Sequence, residues 1–369
     1  MFVQRVVVPS SQFESWTVIG DEGAPVEPVE RFLAFLSDVE RSPNTVKAYA
    51  HDLKDWFCFL QHAGLEWDGI RLENVGEFVA WLRLPKAARS GQVTVLPSVA
   101  ARVGDTTINR KLAAVSAFYQ HHARHGVDVA ALLTAWQPAG RHGTAFKPFL
   151  HHISKSGPRQ RPAIRLKSTR AQPRVLSGDE VQAILDACEH LRDRLLLAVL
   201  HQTGMRIGEA LGLRHEDWQI PERQVRIIRR CNDNRARAKS ARSRTVPVDA
   251  SLVRLFADYL HGEYGDLDSD YVFVNLWAGP VGRPLSYPAV RDLVLRLRRA
   301  TGIGFTLHEF RHTYAAGLLR SGVPIEVVSN LLGHASVTTT AGTYAHLTAV
   351  DARLALQRVG WFPDDGVQS

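Results

Sequence analysis

The stretch Leu307-His-Glu-Phe-Arg-His-Thr-Tyr-Ala-Ala-Gly-Leu-Leu319 decides how this chain is read. As a helix it sets His308, Arg311 and His312 at i, i+3 and i+4 on one face, with Phe310, Tyr314 and Leu318 as an apolar stripe to one side. Two imidazoles and a guanidinium projecting together make a poor surface without a ligand. The same letters spell H-E-x-x-H, the pattern in which two His ligands on zinc flank a Glu base. Against zinc, Arg311 would place a fixed cation beside a dication, and no segment downstream offers the extended metzincin spacing. No metal is expected.

Upstream, Thr203-Gly-Met-Arg-Ile-Gly-Glu-Ala-Leu-Gly-Leu213 puts Arg206 beside a glycine bend, with Glu209 three residues on. Alone it reads as the start of a helix with a surface Arg. Downstream, in Asn330-Leu-Leu-Gly-His-Ala-Ser-Val-Thr-Thr-Thr-Ala-Gly-Thr-Tyr-Ala-His346, Gly333 stops one helix and leaves His334 at its end. Ser336 then caps another helix that brings Tyr344 around. A lone Tyr in a helix is ordinarily core, its hydroxyl satisfied by a neighbour. This one follows three threonines and Gly342, a poor local helix.

The remainder of the chain supplies the context. Its 369 residues suit two or three domains at ~150 residues each. The longest aliphatic run, Leu195 to Leu200, is far too short to span a bilayer. Met1 to Trp16 lacks the cationic start and long apolar region of a secretory signal, so a cytoplasmic protein is expected. Cys58, Cys188 and Cys231 form no CxxC pair, which argues against a disulfide framework or a cysteine-rich zinc site.

The net charge of +8 is unevenly spread. From Arg141 to Arg174 there are nine Lys/Arg and no acid: Arg141, Lys147, Lys155, Arg159, Arg161, Arg165, Lys167, Arg170 and Arg174. From Arg223 to Arg244 nine more, among them Arg235, Arg237, Lys239 and Arg242, stand against Asp233 alone. The two segments together carry +17, which leaves −9 on the rest. A basic band on an otherwise acidic chain is the footprint of a nucleic-acid binder. We therefore expect DNA contacts at Arg141, Lys147, Lys155, Arg159, Arg161, Arg165, Lys167, Arg170, Arg235, Arg237 and Arg242.

Residues 1–25 show no sustained period and read as a tail. Residues 26–140 read as a small helical domain. Phe32, Leu33, Phe35 and Leu36 form a stripe; Ser42 and Pro43 open a helix that Gly64 stops. A third helix runs from Val75 to Leu84, Lys86 to Gly104 is a long loop, and Thr106 or Thr107 caps a helix through His125. A short helix from Val129 to Ala135 closes the domain. Residues 141–175, with four prolines and little period, read as a basic interdomain linker. In residues 176–350, Ser177 and Glu180 form a capping box, and Val225–Arg230 with Arg244–Val248 form a small antiparallel sheet around the Arg-rich turn. Residues 351–369 read as a tail whose Leu354 and Val359, at helical spacing with Val350 just before it, form an apolar stripe that could either dock on a neighbouring protomer or pack on its own chain.

In this order Arg206, Lys239, His308, Arg311, His334 and Tyr344 resemble the catalytic set of the tyrosine recombinase, or phage integrase, family. The strings TGMRIGEAL, HEFRHTYA, LLGHASVTTT and TYAH carry the likeness, and SPNTVKAYAHDLKDWFCFL resembles that family's helical core-binding domain. Lys239 is assigned because it is the only lysine between Arg206 and His308 and precedes SRTVPV as the family's lysine does. The resemblance implies a mainly α fold with a small antiparallel sheet, a SAM-like core-binding domain and an α+β catalytic domain. It implies strand cleavage and rejoining through a 3′-phosphotyrosyl link, without ATP or metal. The implied partners are double-stranded DNA with paired half-sites, a second protomer on one site and a tetramer in the synapse.

The residue types suit that chemistry. Arg206 and Arg311 offer planar forks for phosphate oxygens. His308 and His334 can donate hydrogen bonds or move a proton, and the resemblance gives His308 the task of assisting Tyr344. Lys239 can protonate the departing 5′-oxygen, while Glu209 and His312 support their neighbours. A type IB topoisomerase shares this chemistry, and a noncatalytic DNA-binding protein could share the fold.

Overall fold

The structure is a computed structural model. It describes residues 1–7, 14–85, 103–127, 129, 134–137, 159–162, 164–167, 172–230, 232–234, 236 and 243–344, with backbone alone at 134–137 and 159–162. The chain folds as two compact units, Met1–Arg170 and Ala171–Ser369.

The first unit is built on α1 (Glu27–Asp38), α2 (Pro43–Ala63), α3 (Leu72–Arg83) and α4 (Asp105–Ala123). The start and stop of α2 follow from local chemistry. Ser42 Oγ accepts the Thr45 N–H at 3.3 Å, Pro43 occupies the first turn, and Gly64 at φ 66° takes the left-handed turn that ends the helix. The buried faces meet in an aromatic core of Phe32, Trp56, Phe78, Phe118 and Tyr119. Its polar edges are satisfied, since Trp56 Nε1 donates to Tyr119 Oη at 3.2 Å and that hydroxyl donates to Trp67 O at 2.6 Å.

Three expectations for this unit are corrected. Residues 1–25 are not simply a tail: β1 (Phe2–Val7) and β2 (Glu14–Ile19) pair antiparallel, Phe2 opposite Ile19, and Val18 is fully buried. Each strand is six residues long, too short for a period to stand out, yet rich in β-branched residues that suit a pleat. Thr134 and Ala135, expected as the end of a helix, belong instead to β3 (Thr134–Gln137), which pairs antiparallel with β4 (Arg159–Pro162) inside the supposed linker; residues 130–133 of that expected helix lie outside the described residues. A little further on, Leu166 is clasped to α4 by the Asn109 amide, which accepts its N–H and donates to its carbonyl, both at 2.9 Å. The helix α4 itself is capped by Gly104 and begins at Asp105, so Thr106 and Thr107, expected as its cap, lie inside its first turn. Residues 86–102 and 351–369, where a long loop and a docking tail are expected, lie outside the described residues.

The second unit begins with α5 (Gly178–Asp186), opened by the expected box: Glu180 N–H to Ser177 Oγ at 3.1 Å and Ser177 N–H to the Glu180 carboxylate at 2.9 Å. Next comes α6 (Leu191–Thr203), whose Leu195–Leu200 stretch is apolar all round because the helix lies inside the unit. The short α7 (Ile207–Ala210) leads to β5 (Trp218–Gln219), β6 (Gln224–Ile227) and β7 (Arg244–Pro247), an antiparallel sheet in which Val225 faces Val246. Then follow α8 (Ala250–Tyr259), α9 (Tyr287–Thr301), α10 (Leu307–Arg320), α11 (Ile325–Leu332) and α12 (Val337–Tyr344). Helix α10 packs along α6. That contact brings the two most informative sequence strings together. No helix among the described residues is long and apolar enough to cross a membrane.

Candidate active site

The site grows from the end of α6. Gly204, at φ 59°, turns the chain, and Arg206 opens α7 with its N–H on Glu209 Oε2 at 2.9 Å and its Nη1 on Oε1 at 3.2 Å. A second guanidinium reaches the same carboxylate from β7: Arg244 gives Nη2 to Oε2 at 2.7 Å and Nη1 to Oε1 at 3.2 Å. Burial pushes the Glu209 carboxyl up, but the hydrogen bonds and charges of Arg244 and Arg206 outweigh it and hold the group below the usual carboxylate range.

Helix α10 supplies the next layer. The i, i+3, i+4 residues share a face but differ in depth: His308 is exposed, His312 half-buried, and Arg311 only 2% exposed. Arg311 gives Nη1 to Gly204 O at 2.6 Å and Nη2 to Leu332 O at 2.8 Å. Arg244 gives its Nε to Leu331 O at 2.7 Å, so both guanidiniums sit on the partly negative C-terminus of α11. Burial, together with repulsion from Arg206 and Arg244, pulls Arg311 down to about 9, which still leaves it a cation at neutral pH.

The chain leaves α11 through Gly333 at φ 64°. A methyl group there would lie 2.7 Å from Arg244 Nη1. His334 follows, its Nδ1 2.7 Å from Thr340 Oγ1. Burial and the charges of Arg311, Arg206, Arg244 and His308 pull it down to about 4, so it is neutral at pH 7. Tyr344, on α12, is 4% exposed and packs in a small cluster with Ala315, Val328 and Leu332. Its hydroxyl lies 2.9 Å from His312 Nδ1 and is pushed up to about 12 by burial, partly offset by the charge of Arg311.

The structure thus gathers Arg206, Glu209, His308, Arg311, His312, His334 and Tyr344. Lys239 lies outside the described residues, as do Arg141, Lys147, Lys155, Arg170, Arg235, Arg237 and Arg242; Arg159 and Arg161 are described as backbone of β4, and Arg165 and Lys167 are exposed. Two relationships escaped sequence reasoning. Arg244, counted only as one more charge in the basic hairpin, is the main partner of Glu209; its place at the start of a strand was the available signal. His312, read as a supporting residue, meets the tyrosine hydroxyl directly. The H-E-x-x-H groups are otherwise engaged: the Glu309 carboxylate accepts the Thr306 N–H at 3.3 Å and lies 3.8 Å from Arg174.

Among the described residues here, three guanidiniums surround one carboxylate, leaving two positive charges uncompensated beside a buried phenol. Such a charge balance suits an anion. Residues 174–350 match the phage integrase family, and residues 29–126 match the phage integrase N-terminal SAM-like domain. The chain belongs to the phage integrase family of tyrosine recombinases and is a site-specific DNA recombinase. Transposase A from transposon Tn554 of Staphylococcus aureus is 39% identical over 355 residues, covering 96% of each chain. The tyrosine recombinase XerC of Methylobacterium sp. (strain 4-46) is 30% identical over 321 residues, 85% of this chain and 87% of that one. The fold is shared with the Tn1549 transposon integrase in complex with a circular intermediate DNA, at a TM-score of 0.60 and 16% identity over 90% of this chain and 99% of the other.

Proposed function

We propose that this recombinase moves a mobile element, with Tyr344 attacking a DNA phosphorus and remaining joined to the 3′ end. The observation that carries the reading is a buried Tyr344 hydroxyl that lies 2.9 Å from His312 Nδ1 and feels the charge of Arg311. Arg206 and Arg311 hold the phosphate oxygens and offset the charge that grows on them as the fifth oxygen arrives. Neutral His334 donates from Nε2 when its Nδ1 accepts from Thr340. Lys239 protonates the 5′-oxygen as it leaves. The phosphotyrosyl link retains the phosphodiester's energy, so a 5′-hydroxyl of another strand can attack it. Likeness to a transposase over nearly the whole chain supports the mobile-element role. The substrate is double-stranded DNA with paired half-sites, bound by a dimer and joined in a tetramer, in the cytoplasm.

Sequencing the DNA that stays covalently attached to the purified protein identifies the site. A nicked suicide duplex of that sequence should then give a denaturant-resistant adduct mapping to Tyr344. An undiminished adduct with Tyr344→Phe would refute the assignment. Lys239→Ala should cleave poorly, yet recover on DNA with sulfur at the 5′-bridging position, a leaving group that hardly needs a proton; inactivity without rescue would remove the lysine from that role. On a plasmid with two sites, products that are only relaxed, without recombinants, would point to a topoisomerase.

A further inference from the structure

We propose that His312 takes the proton from the Tyr344 hydroxyl as that oxygen attacks phosphorus, and holds the hydroxyl in place beforehand. The inference rests on the reading of Tyr344 as the nucleophile and reassigns the step that the family resemblance gave to His308. His312 Nδ1 lies 2.9 Å from Tyr344 Oη, within reach of direct proton transfer. A phenol this deeply buried cannot shed its proton to bulk water, so a base inside the protein must receive it. His334 is not free for the task, because its Nδ1 faces Thr340 and the surrounding cations oppose its protonation.

His312 is differently placed. Among the groups in contact with it are Tyr344 from α12 and His308 one turn earlier on its own helix, whose ring stands edge-on at 4.5 Å. Arg311, the next cation along α10, spends two N–H groups on backbone carbonyls, away from the imidazole.

The step balances. The Oη–P bond forms as the P–O5′ bond breaks, and the phenolic proton passes to His312 Nδ1, whose ring begins neutral with its proton on Nε2. The O5′ takes a proton from the Lys239 ammonium. Rejoining runs the steps backwards, and His312 returns its proton to the departing tyrosinate. His308, exposed at the rim, is left to contact the DNA phosphate.

The test is single-turnover adduct formation by the full-length protein on the suicide duplex, followed from pH 5 to 9. The wild-type rate should rise through the imidazole range and level off. His312→Asn keeps a polar group near the Nδ1 position but has no base in this range. It should form the adduct about 10²–10⁴-fold more slowly, without the rise, while binding the duplex as the wild type does. His308→Asn should lower the rate and keep the rise. Placing 3,5-difluorotyrosine, a far more acidic phenol, at position 344 should restore much of the rate lost in His312→Asn. With His312 intact, the same replacement should flatten the pH dependence, which tests the idea even where His312→Asn does not fold. A His312→Asn enzyme with wild-type rate and profile overturns the proposal, as does a rate indifferent to the acidity of the phenol. Failure of the Tyr344 reading looks different: an adduct that survives Tyr344→Phe, whatever His312 does.

Discussion

At the scale of single residues, the site depends on one buried carboxylate. Glu209 has no exposed side-chain surface and is shared by the Arg206 and Arg244 guanidiniums. Glu209→Gln keeps the shape and removes the charge, leaving Arg206, Arg244 and Arg311 to repel one another. Removing one partner of such a buried group costs about 3–5 kcal/mol, so the second unit should unfold at markedly lower urea concentration. Added phosphate should restore part of that loss, because an anion in the pocket supplies the missing charge. Unfolding that is unchanged, or indifferent to phosphate, would show that the guanidiniums are neutralised elsewhere. The residue types of this site were legible in the sequence, since phosphate chemistry needs fixed cations and a nucleophile. Their depth and pairing were not. The Arg244–Glu209 and His312–Tyr344 contacts join residues 35 and 32 positions apart, and local spacing carries no information about such contacts.

At the scale of elements, helices were readable where their ends are written locally, as at Ser42, Gly64 and Ser177. The strands Phe2–Val7 and Thr134–Gln137 were not, because a strand is completed by a partner, and the partner of β3 begins at Arg159. Gly333 shows an element's end positioning the site. It sits at φ 64° with Arg244 against its backbone, so Gly333→Ala carries both left-handed strain and a collision with the guanidinium. A loss of about 1 kcal/mol or more is expected, with a larger fall in adduct formation as Arg244 is displaced; a silent substitution would mean that the guanidinium moves freely. Helix α4 carries a pH dependence of its own. Burial pulls His121 down to about 4, with His122 and His125 adding repulsion, and burial lowers His122 as well. Both groups bind protons more readily unfolded than folded. Their stabilising contribution is therefore complete above about pH 6.5 and is lost as the pH falls from there toward 4. His121 Nε2 is buried without a hydrogen-bond partner among the described residues, and its ring lies against Phe32 and Phe35. His121→Phe should raise the melting temperature of the first unit, more at pH 5 than at pH 7.5. Equal gains at both pH values would remove His121 as the titrating group.

At the scale of the whole molecule, the dominant fact is where the charge lies. The segment from Arg141 to Arg174 carries nine cations and no acid on a chain whose net charge is only +8. Its β4 strand and the clasp at Leu166 tie part of that charge to the first unit, and Arg165 and Lys167 stand exposed. We propose that this array serves DNA through phosphate neutralisation, whose signature is counterion release. Each phosphate contact removed lowers the log–log salt dependence of binding by about 0.9. Replacing Arg159, Arg161 and Arg165 together by Ala should flatten the slope by up to about 2 to 3 units, weakening binding to all DNA sequences alike. Adduct formation on DNA already saturated with enzyme should change little, since the proposed mechanism assigns the phosphorus to Arg206, Arg311 and Tyr344 in the second unit. The two measurements separate the tasks. A slope equal to the parent's would mean that these arginines stay in solvent, whereas a lost adduct at saturation would mean that the segment helps to shape the active site itself.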